Sequence, residues 1–111
     1  MHSKDTQKAI AMEIKRQLGR SFGIMTGATD FVYGEGEEGV FLRFRIKARA
    51  KKAIKWVTIT LNANDTYHVA FTKIKRKTME VITVSEQSDV YNTDLRGVFT
   101  AHTDLLTSFN G

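Results

Sequence analysis

The sequence predicts an α+β fold, with an antiparallel β-meander of about four to five strands flanked by an N-terminal and a C-terminal helix packed on one face. Three observations predict it. Apolar residues near the start recur at spacings of three and four; those between Val40 and Ser85 alternate in segments separated by short turns; those near the end return to the helical period. The chain has 111 residues, 41% of them hydrophobic, which suits a single domain over 1–111 that buries roughly 65% of its unfolded surface.

From about Asp5 to Leu18, the residues Ile10, Ala11, Ile14 and Leu18 form the stripe of a helix with one buried face. Ser3 or Asp5 can cap its start and Gly19 can close its end. The stretch "RSFGIMTGATD" is rich in Gly and Thr and reads as a loop leading into a short strand, "DFVY". "GEGEEG", between Tyr33 and Val40, is a turn whose three glutamates keep the tip in water.

Strand segments then follow in quick succession. In "VFLRFRIKA", Leu42, Phe44, Ile46 and Ala48 share one face, while Phe41, Arg43, Arg45 and Lys47 share the other, because successive strand side chains point to opposite sides. In "KWVTITL", Val57, Ile59 and Leu61 oppose Trp56, Thr58 and Thr60. "NAND" at 62–65 is a hairpin turn, since Asn and Asp tolerate the left-handed conformation. "TYHVAFTKIKRK" continues with Tyr67, Val69 and Phe71 against His68, Ala70 and Thr72, and "MEVITVS" is the last strand. A second helix is expected from about Ser88 to Leu106, with Tyr91, Leu95, Val98, Phe99, His102 and Leu106 on one stripe. Two helices covering the apolar sheet face leave the other face open.

Charge is distributed unevenly along this frame. Residues 41–77 hold eleven Lys/Arg against Asp65 alone, whereas residues 1–40 hold five against six acids and residues 78–111 hold Arg96 against five acids. The open face therefore carries Arg43, Arg45 and Lys47 beside Phe41, Trp56 and His68, with Lys55 and the cluster Lys73, Lys75, Arg76 and Lys77 at its margin. Cations neutralise phosphates and exposed aromatics stack unpaired bases, so nucleic acid is the expected ligand. The plain alternative is a solubilised sheet face with blunted edges.

Other chemistry finds little footing. With no cysteine, a disulfide framework, thiol catalysis and cysteine-ligated zinc are excluded. His2, His68 and His102 lack the spacing of a zinc pair, and His102 reads as a hydrogen-bonded packing residue. Glu35, Glu37 and Glu38 read as a solvated tip, "MTGATDF" is no phosphate loop, and neither Ser85 nor Ser88 has a base that the sequence identifies. No catalytic residue, cofactor or metal is expected; a metal-dependent nuclease is the least poor enzymatic alternative. No apolar run approaches a membrane span, and "MHSKDTQKAIAMEIKRQ" lacks the features of a secretory signal, so a cytoplasmic protein is expected.

The segments "GIMTGATDFVYG" (23–34), "KWVTITLNANDTYHVAFTKIKR" (55–76) and "VSEQSDVYNTDLRGVFTAHTDL" (84–105) resemble a family of small uncharacterised proteins encoded by bacteriophages and prophages. Those relatives also run helix, strands, helix, with a Thr-Gly-Ala turn and a Tyr-x-x-x-Leu-x-x-x-Phe pattern that Tyr91, Leu95 and Phe99 match here. The resemblance does not extend to the Arg/Lys load of 43–55. It implies a viral accessory role in a host cytoplasm. Three uses of the basic face follow as expectations: binding nucleic acid, inhibiting a host or defence protein through an acidic surface, or sequestering a small anionic nucleotide. A homodimer contact through Phe41 and Trp56 would instead cover that face.

Overall fold

The computed structural model describes residues 1–107 and is an α+β fold, with helices α1 (Lys4–Leu18), α2 (Phe22–Thr26) and α3 (Leu95–Thr103) around one five-stranded antiparallel sheet. The strands are β1 (Thr29–Gly36), β2 (Gly39–Arg45), β3 (Trp56–Leu61), β4 (Tyr67–Lys75) and β5 (Glu80–Val90), in the spatial order β1-β2-β3-β4-β5. Among the described residues, no helix is long and apolar enough to cross a membrane.

The expected first helix forms for the expected reasons. The Ser3 hydroxyl accepts a hydrogen bond from the Thr6 amide at 3.2 Å, satisfying one of the donors a helix start leaves free, and Ala11, Ile14 and Leu18 are buried. α1 packs across β1 and β2. In the sheet, strict alternation sorts side chains by register. Phe44, Val57, Phe71 and Ser85 stand opposite one another in one row, and Leu42, Ile59, Val69 and Gln87 in the next; both rows face the helices. The apolar members of those rows join Ile14, Leu18, Phe22, Ile54, Leu95 and Phe99 in a continuous core. At the β1–β2 turn Gly39 has φ +141°, and a Cβ there would lie 2.1 Å from the Leu61 carbonyl oxygen, so only glycine fits.

Two segments differ from the sequence expectation. Residues 22–26, read as loop, make a single helical turn, because Phe22 is drawn into the core between Phe44 and Phe99, with ring centroids 5.4 Å and 4.9 Å away. Aromatic burial overrides the weak helix propensity of a Gly/Thr-rich run. The C-terminal helix starts at Leu95 rather than Ser88, and ends at Thr103 rather than Leu106. Residues 86–90 continue β5 instead, pairing Gln87 with Val69 and Val90 with Tyr67 across a bulge at Ser88 and Asp89, where Asp89 has φ +57°. Tyr91 and Leu106, placed on the helical stripe by their spacing, are exposed and outside the helix.

A meander places alternate connections at opposite ends of the sheet. Here the β2–β3 connection (46–55) and the β4–β5 hairpin (76–79) share one end, so Lys47, Arg49, Lys51, Lys52, Lys55, Arg76 and Lys77 gather there from two separate stretches of chain. The β1–β2 and β3–β4 turns, carrying Glu37, Glu38 and Asp65, lie at the other end.

Candidate functional site

The face of the sheet turned away from the helices carries the Ile74–Val81 pair of the β4–β5 hairpin and three longer registered rows. Of the three, Arg45, Trp56, Thr72 and Thr83 form the one nearest the basic end; Arg43, Thr58, Ala70 and Glu86 form the second; Phe41, Thr60 and His68 form the third. The structure thus brings Arg43, Arg45 and Trp56 onto one open face. Both arginines are exposed and Trp56 is half-buried. The Arg43 guanidinium stands over the indole, 5.9 Å from the ring centroid, at the outer limit of a cation–π contact.

The remaining expected site residues are distributed differently. β2 ends at Arg45, and the Lys47 amide donates to the Gly27 carbonyl rather than to the sheet ladder, so Lys47 belongs to the connection beside α2. Lys55 precedes β3, with its amide bonded to the Thr72 carbonyl at 2.9 Å, and stands at the rim. Lys73 and Lys75 alternate with Ile74 and point to the helix side of the sheet, while Arg76 and Lys77 occupy the hairpin tip. Phe41 is on the open face but lies down on it. A Cβ at Gly34 would come within 3.2 Å of its ring, so the ring fills the space that this strand glycine leaves. His68 is engaged too, with Nδ1 2.8 Å from the Ser88 hydroxyl and Nε2 3.7 Å from a Glu86 carboxylate oxygen. That carboxylate shares the open face, so the corner around His68 is not purely cationic.

Two contributors to this face, Ile74 and Val81, lie outside the sequence expectation. Thr58, Thr72, Ile74 and Val81 join Arg43 and Trp56 in lining a depression of about 290 Å³. Thr58 and Thr72 were legible as outward residues, but the approach of Val81 to Ile74 depends on the β4–β5 register, which a strand with two similar faces does not reveal. Among the other basic residues, Lys51 serves the fold. Its ammonium lies 3.5 Å from the Ala101 carbonyl and 3.6 Å from an Asp104 carboxylate oxygen, at the C-terminal end of α3 where the helix dipole favours a cation.

The serines left without a base by their sequence positions each have a histidine in space. Ser88 meets His68, and the Ser85 hydroxyl lies 2.9 Å from His102 Nδ1. His102 Nε2 is 3.0 Å from Gln87 Oε1, and its ring stacks on Phe71 at 4.6 Å with planes 10° apart. Because an amide oxygen only accepts, Nε2 carries the proton. Burial first, then the positive charges of Lys51 and Lys52, hold the His102 pKa below the ordinary histidine value, so the neutral ring accepts from Ser85. Both ring nitrogens are thereby used to fasten α3 to β5. Among the described residues, no three His, Cys, Asp or Glu side chains converge as a metal site.

No family model, curated protein or solved structure matches the chain.

Proposed function

We propose that the protein is a small accessory protein that binds nucleic acid through the open sheet face and the basic end next to it. One observation carries the proposal: Arg43, Arg45 and Trp56 share an uncovered face at the end of the sheet where two cationic connections meet. Arginines and lysines there neutralise phosphates and release counterions, and the indole offers a plane to a base. The accessory role in a host cell is the expectation that the resemblance of three chain segments carries, and is proposed with it. Titration with a short oligonucleotide at low salt is expected to quench Trp56 fluorescence, and added salt to restore it. Charge reversal at Arg43→Glu and Arg45→Glu is expected to weaken binding by roughly tenfold or more. Unchanged fluorescence at low salt contradicts the proposal.

A second use is favoured by a different observation. Ile74, Met79 and Val81 are exposed beside the cationic hairpin, a mixture that suits docking on an acidic protein surface. A stoichiometric host protein retained through nuclease treatment in affinity capture, and lost with Val81→Asp, is the expected result of this inhibitor mode. Retention that disappears with nuclease contradicts it.

A further inference from the structure

The depression beside Trp56 narrows the class of nucleic acid. Trp56 on β3, Ile74 on β4 and Val81 on β5 line it on the open face, with Thr72 opposite Trp56 and Thr58 one row further from Val81. The depression between the indole and the Ile74–Val81 pair has a volume of about 290 Å³, a slot with room enough for one flat ring. Arg43 and Arg45 stand on the β2 side of that slot. Arg76 and Lys77 lie at the hairpin tip, two and three residues beyond Ile74, at the basic end of the sheet. An aromatic surface, an aliphatic pair, a hydroxyl beside the indole, and cations on the β2 side and at the hairpin tip suit a base with a phosphate on either side. In a duplex the base faces are already stacked on their neighbours and cannot enter such a slot; in a single strand they are available.

We infer that the ligand is single-stranded nucleic acid, with one unpaired base stacked on Trp56 against Ile74 and Val81, its hydrogen-bonding edge towards Thr72, and its flanking phosphates on Arg43/Arg45 and Arg76/Lys77. The inference rests on the nucleic-acid proposal above. It goes further in stating which form of nucleic acid binds and where one base sits.

The test measures the anisotropy of labelled probes at low salt, since removing the chain's one tryptophan abolishes the intrinsic signal. The probes are a single-stranded ten-mer and the same sequence as a duplex, with a nucleoside monophosphate as competitor. The single strand is expected to bind at least about tenfold more tightly than either of the others. Trp56→Ala removes one wall, and Val81→Phe, at a residue 69% exposed and therefore tolerant of size, fills the slot. Each is expected to weaken the single strand by roughly tenfold while changing duplex affinity less than about twofold. Equal binding of duplex and single strand by the native protein, or a Val81→Phe variant that binds the single strand as tightly as the native protein does, overturns the inference and leaves the nucleic-acid proposal standing. A monophosphate that competes as well as the ten-mer overturns it in favour of a small nucleotide ligand. Binding of no probe at low salt removes both.

Discussion

His102 shows how one residue can tie together distant parts of this fold. It holds Ser85 and Gln87 of β5 from α3 and lies flat on Phe71 of β4, so its loss would unfasten three elements at once. Its protonation state sets a pH dependence whose direction can be worked out. The folded pKa lies below the usual value near 6.5, so the unfolded chain binds more protons just below that pH. Stability therefore rises with pH across the window between the two values, and is lost as pH falls through about 6.5 towards the folded pKa. Urea midpoints measured between pH 7.5 and 5.5 are expected to fall for the native sequence and to fall less for His102→Gln. A midpoint of the native sequence that is flat across this window contradicts the assignment of a neutral, partly buried ring.

At the scale of elements, α2 and α3 are held by single identifiable groups. Phe22 is 3% exposed and meets Phe44 and Phe99 edge-on, so Phe22→Ala is expected to cost about 3–5 kcal/mol and to dissolve the short helix that the ring anchors. Chemical denaturation measures the loss; one below about 1 kcal/mol would show that α2 does not depend on its aromatic anchor. Lys51 sits at the C-terminal end of α3, and Lys51→Glu is expected to lower stability by up to about 1 kcal/mol at low ionic strength, less as salt is added.

The same elements show what was legible in the sequence and why. α1 and β2 through β4 could be read because each has a clean period of 3.6 or 2 with one apolar face; the parity of Arg43, Arg45 and Trp56 followed from that alone. α2 could not, since its helix comes from a tertiary aromatic contact made by one residue in a Gly/Thr setting. The start of α3 was misplaced because "SEQSD" has the polar composition of a helix start, while its backbone is committed to β4 across a bulge. Lys47 departs from the open face expected for it, and Lys73 and Lys75, expected at the margin of that face, point to the other side, for two reasons. A strand can end before its alternating pattern does, and parity within a strand sends every second basic residue to the other side.

For the whole molecule, the decisive feature is topological. Eleven cations in residues 41–77 look in the sequence like one basic block, yet only Arg43 and Arg45 stand in the open-face rows. The strand order of the meander gathers most of the others at the same end of the sheet as Trp56, away from the acidic turns bearing Glu37, Glu38 and Asp65. Such a molecule presents a cationic end to an approaching polyanion, which orients the encounter before any contact is made. Association with an oligonucleotide is accordingly expected to be strongly salt-dependent, with its rate falling as ionic strength rises.

The measurement that bears most directly on this account is the salt dependence of the oligonucleotide affinity. With about four phosphates engaged, the slope of log K against log salt is expected near −2.8 for a single strand, and the paired substitution Arg43→Ala and Arg45→Ala is expected to bring it about 1.4 closer to zero. A slope near zero for the native sequence, or one that these two substitutions leave unchanged, would contradict the claim that the arginines of the open face meet the phosphates.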